Sequence, residues 1–181
     1  RAIIAREGGI GPLLSLLERG SLDAKQEVAA RALWSLAVRG GNREAIVRHG
    51  GISLLLDLAR RGTPAGQEAA ASALQNLAVD EDIGLAVERS GGLRVIVSLL
   101  SAANTVGCRA AAAGALQNMA LCERNRESAA VAASIPLLIE MLSSDAGSSA
   151  GQAEAAAGAL RNLAMSDSNC EAIAAAGGVG P

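Results

Sequence analysis

The chain has 181 residues, half of them hydrophobic but only 1% aromatic, and a formal net charge of −2. That apolar content excludes intrinsic disorder. With one Trp, no Tyr and no Phe, the apolar half is Ala, Leu, Ile and Val, a mixture that favours close-packed helices over a β-sandwich or barrel. The lack of excess Lys and Arg and of stacking aromatics argues against nucleic acid as a partner.

Every apolar run is broken by Arg, Glu, Gln or Asn before it reaches bilayer-spanning length, so no direct membrane insertion is expected. No signal peptide is visible, and the first residue is Arg1 rather than Met, so a native start further upstream is expected. Cys108, Cys122 and Cys170 are odd in number and form no C-x-x-C pair. They read as reduced thiols of an intracellular protein, cytoplasmic or nuclear.

The chain repeats itself. One string recurs as Leu33-Trp34-Ser35-Leu36-Ala37, Leu74-Gln75-Asn76-Leu77-Ala78, Leu116-Gln117-Asn118-Met119-Ala120 and Leu160-Arg161-Asn162-Leu163-Ala164, its first Leu advancing by 41, 42 and 44 residues. A second recurs as Gly8-Gly9-Ile10, Gly50-Gly51-Ile52, Gly91-Gly92-Leu93, Ala133-Ser134-Ile135 and Gly177-Gly178-Val179. A third is polar: Asn42-Arg43-Glu44, Asn125-Arg126-Glu127 and Asn169-Cys170-Glu171. From the Leu of the first string to the second member of the next Gly pair the distance is always 18 residues, as from 33 to 51 and from 160 to 178. All length variation falls in the loop inside each unit, so that loop is free and the junction between units is rigid.

In chain order the units are 1–41, which lacks the cap of its first helix, then 42–82, 83–124, 125–168, and 169–181, the start of a fifth. Each reads as three helices. In the second unit Asn42 is the expected N-cap, and Glu44 lies where the helix dipole favours negative charge. This first helix ends near Arg48-His49 at the Gly50-Gly51 turn, with Gly51 expected at positive φ. The sole histidine, His49, suits a helix C-terminus and reads as structural. The second helix is short and apolar, as in Leu54-Leu55-Leu56, Val95-Ile96-Val97 and Leu137-Leu138-Ile139, with Pro12, Pro136 and Pro181 in its first turn. The third is longest, for example 67–79, and its alanines let neighbouring helices approach closely. Asp82, in the acidic run Asp80-Glu81-Asp82, is expected to cap the first helix of the third unit.

The string Asn42-Arg43-Glu44-Ala45-Ile46-Val47-Arg48-His49-Gly50-Gly51-Ile52 closely resembles the N-R-x-A-I-x-x-x-G-G/A-I signature of the armadillo repeat. The resemblance covers essentially the whole chain, and its pattern is closer to vacuolar, plant-type and β-catenin-like arrays than to importin-α. It implies an all-α fold, a right-handed α-solenoid with three helices per repeat of about 42 residues, the third helices lining a concave groove. Further repeats of the same chain are expected at both ends.

In that family an Asn on the third helix pairs with the backbone of an extended peptide, and here that column is Asn76, Asn118 and Asn162, with Ser35 in its place in the first unit. An amide offers donor and acceptor together, so it can grip a peptide bond whatever the side chain. The alternative is that these amides bond the solenoid's own backbone. Four residues earlier lie Arg31, Ser72, Gly114 and Gly158, and eight earlier Glu27, Glu68, Ala110 and Glu154, on roughly the same helix face. None of the four is the Trp that importin-α-like adaptors carry there, and Trp34 is one residue out of register. The glutamates suggest a ligand segment with some positive charge, or else a solvated charged face. Gln75, Gln117 and Arg161 are further candidates for side-chain selection. Gly114 and Gly158 each cost about 1 kcal/mol relative to Ala inside a helix, so a ligand backbone or a neighbouring helix must come close.

The residues therefore read as a non-enzymatic scaffold that binds an extended segment of a partner protein, with no cofactor, metal or catalytic set. Two alternatives stand beside it. One is the substrate-recognition part of a U-box-type ubiquitin ligase. The other is a structural component of a cytoskeletal or ciliary assembly, bound through its convex face or its ends.

Overall fold

The computed structural model of the chain describes residues 8–18, 21–143 and 149–178. The expected opening helix of the first unit, the loop at 19–20, most of the long loop at 143–149 and the last second-helix entry at 179–181 lie outside them. The described residues are helices joined by turns. First helices are α3 (Gly40–Arg48), α6 (Glu81–Arg89), the pair α9 (Glu123–Arg126) and α10 (Ala129–Ala132), and α13 (Asp167–Ala175). Second helices are α1 (Ile10–Ser15), α4 (Gly51–Arg61), α7 (Gly92–Leu99) and α11 (Ile135–Ser143). Third helices are α2 (Asp23–Leu36), α5 (Pro64–Leu77), α8 (Val106–Met119) and α12 (Ala150–Leu163).

The third helices stack directly on one another, α2 on α5, α5 on α8 and α8 on α12, in the most extensive contacts of the molecule. Small buried side chains make this possible: Ala69, Ala70, Ala71 and Ala73 on α5, Ala111, Ala112, Ala113 and Ala115 on α8. Between them Leu33, Leu74, Leu77, Leu116 and Leu163 are almost wholly buried and fill the space toward the second helices. Interiors packed at this density leave a removed methylene uncompensated.

The starts of α5, α8 and α12 are fixed by hydroxyls in loop residues, whereas α2, with Leu22 at its N-cap, has no side-chain cap. Thr63, Thr105 and Ser149 occupy the N-cap, and each side-chain oxygen accepts from a first-turn N–H at 3.0–3.2 Å, on Gly66, Cys108 and Gln152. α5 also places Pro64 at its first position, so it begins three residues before the expected start at 67.

The glycine pair divides its work between two different constraints. The first member, Gly8, Gly50, Gly91 or Gly177, holds the left-handed conformation with φ of 74° to 79°. The second is not at positive φ, which corrects the expectation for Gly51. Gly51 instead lies against the first helix: a Cβ there would overlap the Ile46 side chain and come 2.8 Å from the Ile46 carbonyl. Gly92 stands in the same relation to Val87 and Gly178 to Ile173. Ile46 and Val87 are fully buried, so the glycine lets the second helix fold back onto the anchor of the first.

The fourth unit has Ala133-Ser134 at this point, and its structure differs. No non-glycine residue of the described chain adopts positive φ, because Ala in that region costs about 1–2 kcal/mol. The first helix instead breaks into α9 and α10, and Val131 becomes the buried anchor. Ser134 is wholly buried, its hydroxyl donating to the Val131 carbonyl at 2.6 Å.

Two capping expectations are corrected. Asn42 is the third residue of α3 and does not cap it; its buried Nδ2 reaches back to the Leu36 carbonyl at 2.8 Å, at the end of the preceding third helix. Asn125 does the same to Met119 at 2.9 Å and Asn169 to Leu163 at 3.1 Å. The adjoining arginines continue the pattern. Arg43 Nη1 donates to the Ala37 and Val38 carbonyls at 3.2 and 3.3 Å, and Arg126 Nη1 to those of Ala120 and Leu121 at 2.8 and 2.9 Å. Asp82 lies within the first turn of α6, whose N-cap is Asp80.

Asp80, the N-cap of α6, is gripped by Arg43 from α3. Arg43 Nε and Nη2 meet its two oxygens at 2.6 and 2.9 Å, which holds the Asp80 carboxyl below the usual carboxylate range. A carboxyl with a lower pKa folded than unfolded stabilises the fold above its unfolded pKa, about 4, and loses that contribution as pH falls through the folded value.

Two expectations follow for thermal unfolding read by circular dichroism. Gly50→Ala lowers Tm by the equivalent of about 1–2 kcal/mol, whereas Gly51→Val costs more, about 3 kcal/mol or more, since its side chain meets backbone that cannot move aside; the reverse order would refute the division of labour in the pair. On acidification from about pH 6 to about pH 2.5 the wild type loses more Tm than Asp80→Asn. The difference is no more than about 1 kcal/mol, because the Asp80 side chain is 38% exposed.

Candidate functional site

The third-helix layer carries the residues singled out above. The column asparagines are locked to the solenoid itself. Asn76 Nδ2 donates to the Trp34 carbonyl at 3.1 Å, Asn118 Nδ2 to Gln75 at 2.9 Å and Asn162 Nδ2 to Gln117 at 2.7 Å. Each acceptor belongs to the last turn of the preceding third helix, where carbonyls have no intrahelical partner. One N–H of each amide is used this way. Asn76 and Asn118 are half-buried, while Asn162 is buried and its Oδ1 faces the Arg161 guanidinium at 3.4 Å.

Gln75 and Gln117 are packing residues of the same junctions. A Cβ at Gly114 would overlap the Gln75 amide, and one at Gly158 would come within 2.6–2.7 Å of the Gln117 amide. The close approach expected at these helical glycines is thus made by the neighbouring unit.

The charged candidates divide. Glu27 pairs with Arg31 on its own helix at 3.0 Å. Glu68 accepts from the Thr105 hydroxyl at 2.6 Å, and its carboxylate lies over Gly107 in the first turn of α8, where negative charge is favoured. Ser72 donates to the Glu68 carbonyl at 2.9 Å. Glu154 and Arg161 are exposed. Glu27 and Glu154 sit on α2 and α12, with two third helices stacked between them, so the structure does not gather the glutamates into one cluster. Ser35 opens sideways onto an apolar cleft of about 450 Å³ with Pro12, Leu13, Leu16 and Leu36, at the first described unit. Trp34 is 45% exposed beside it on α2.

Other chemistry is sparse. Among the described residues no three His, Cys, Asp or Glu side chains gather at one point. His49 is exposed, its Nδ1 2.7 Å from the Ala45 carbonyl at the end of α3. The three thiols are free. Burial, with the Glu68 carboxylate adding to it, pushes the Cys108 thiol up to about 11, which makes it a poor nucleophile. No helix among the described residues is long and apolar enough to cross a membrane.

The sequence reading missed the buried Asn-Arg caps. Their signal was present: each Asn follows the last residue of a third helix by six positions, 36 to 42, 119 to 125 and 163 to 169.

Removing all three column amides, Asn76, Asn118 and Asn162 to Ala, takes away about 1 kcal/mol at each inter-unit bond. Far-UV circular dichroism is expected to keep its helical form while Tm falls by roughly 5–10 °C. An unchanged Tm would show that the bonds to the preceding helix contribute nothing.

Comparison with known proteins agrees with this architecture. The family model for the Armadillo/beta-catenin-like repeat matches residues 41–79. A search of curated proteins finds no match. Among solved structures, an engineered protein is 31% identical with a TM-score of 0.84, over 94% of this chain and 68% of its own. A designed armadillo repeat protein in complex with the peptide (KR)4 is 20% identical with a TM-score of 0.85, over 97% of this chain and 73% of its own. The armadillo-repeats-only protein of Plasmodium falciparum is 19% identical with a TM-score of 0.76, over 95% of this chain and 82% of its own. With its three-helix units, its glycine turn and its stacked third helices, the chain is a right-handed α-solenoid and belongs to the armadillo repeat family.

Proposed function

We propose that the chain is a non-catalytic scaffold that binds an extended segment of a partner protein along the face of its third-helix layer, with Asn76, Asn118 and Asn162 contacting the ligand backbone. The observation that carries this reading is the state of the column. Each amide is held in orientation by one bond to the preceding helix, and Asn76 and Asn118 keep Oδ1 and a second N–H without a partner among the described residues. A donor and acceptor fixed in advance bind a peptide group with little further ordering cost.

The ligand we infer carries some positive charge. Glu68 and Glu154 lie on this layer, and a designed armadillo protein with the same fold was solved with the basic peptide (KR)4. Glu27 contributes less, because Arg31 already neutralises it. A second reading is docking of a partner at the apolar cleft beside Ser35. Membership of a U-box ligase would be a property of other parts of a longer protein and draws no support from these residues.

The test is a selection from a random peptide library on the wild type, with the enriched peptides then measured on variants below their melting range. Loss of about tenfold or more in affinity on the Asn76/Asn118/Asn162 triple-Ala chain, with Glu44→Ala and Arg48→Ala on α3 unaffected, supports the groove. Peptides that lose binding on Leu16→Glu and keep it on the triple-Ala chain would move the site to the cleft beside Ser35.

A further inference from the structure

The repeats of this chain can be compared with one another at the carbonyls that end each third helix. After α2, Arg43 donates to the two carbonyls just past the helix end, and after α8 Arg126 does so. The equivalent residue after α5 is Gly84, which follows Ile83 where the other units have Asn. Among the described residues no donor reaches the carbonyls of Ala78 or Val79.

Gly84 is not required by the backbone. Its φ is not positive, and an added Cβ would stand 3.8 Å from the Ala78 carbonyl oxygen and 3.9 Å from Met119, both ordinary contacts. The missing side chain leaves a cleft of about 200 Å³ lined by Ala78, Val79, Glu81, Asn118, Leu121 and Asn125, among others. Most of its polar groups are acceptors, with one N–H of the Asn118 amide beside them. There are two carbonyls, the Glu81 carboxylate, and the wholly buried Asn125, whose Oδ1 meets no donor. The exposed side chains of Val79 and Leu121 form apolar walls.

We infer that this cleft receives the guanidinium of an arginine side chain from a partner protein, in the position that the chain's own arginines take in the sister units. A planar fork of donors suits two adjacent carbonyls and a carboxylate together, as Arg43 shows with Nη1 on the Ala37 and Val38 carbonyls and Nε and Nη2 on Asp80. The ammonium of Lys is compact, more strongly hydrated and matches fewer of these acceptors at once. Asn118 lines the cleft and belongs to the column, so the cleft opens beside the proposed groove, but it binds one side chain and does not depend on the groove reading.

The experiment is a titration of the isotope-labelled chain with N-acetyl-arginine methylamide, followed by NMR at the Gly84 N–H and the Asn118 and Asn125 side-chain amides. The lysine and citrulline analogues serve as controls. Saturating shifts confined to these groups are expected with the arginine probe, with roughly tenfold or more weaker response to citrulline, which lacks the charge. Gly84→Arg fills the cleft from within the chain; it should abolish the response and raise Tm by a few degrees, since it replaces a helical glycine and donates to free carbonyls. Gly84→Leu fills it without charge and should also abolish the response. Equal shifts on Gly84→Arg, no preference for arginine over citrulline, or a lower Tm for Gly84→Arg would each overturn the proposal. Peptides selected for the groove are expected to lose affinity on the triple-Ala chain whether or not Gly84→Arg affects them, so the two readings fail separately.

Discussion

A helix ends in carbonyls that its own backbone cannot satisfy, and stacking third helices brings one such end beside every junction between units. Much of the polar sequence of the repeat serves to meet these groups. Asn42, Asn125 and Asn169 return from the following first helix, Arg43 and Arg126 reach the next two carbonyls, and the column asparagines donate from the following third helix. Cys170 takes the arginine's place in the last described unit and donates its thiol to Ala164 at 3.0 Å. Each bond is worth about 1 kcal/mol, and the set fixes both the spacing and the rotation of adjacent units.

Close approach is the second constraint, and small residues meet it. Alanines let the third helices touch, and Gly114 and Gly158 accommodate the glutamines of the preceding unit. The second glycine of each pair admits the anchor of the first helix. Where the pair is Ala133-Ser134, the left-handed turn is lost and the first helix breaks into α9 and α10. The exception shows which residues govern the turn.

These constraints bear on the proposed function because the layer proposed to bind and the inter-unit contact share residues. The column amides hold the stack with one N–H, and Asn76 and Asn118 keep further polar atoms without a partner among the described residues. Glu68 stabilises the start of α8 while lying on the same layer. Under the proposed function a substitution here acts on stability and on recognition together, and the two must be read by separate measurements. Among the described residues α5 is the third helix followed by neither the Asn nor a donor in the arginine's place, and there the cleft at Gly84 opens.

The sequence by itself determined the period, the three-helix unit, the glycine turn, the helical close approaches at Gly114 and Gly158 and the family, because each is written in local spacing or in residues that permit a backbone conformation. It could not determine what a polar side chain bonds to. By local spacing Asn42 and Asp82 fit caps of the helices that begin beside them, since an N-cap is a local arrangement. The structure instead turns Asn42 back onto the preceding helix and pairs the adjacent Asp80 with Arg43, 37 residues away. Asn76 meets the Trp34 carbonyl 42 residues earlier for the same reason. Such partners are set by how units stack, a property of the assembled fold, and only that fold shows that the carbonyls beside Gly84 lack the arginine their counterparts have.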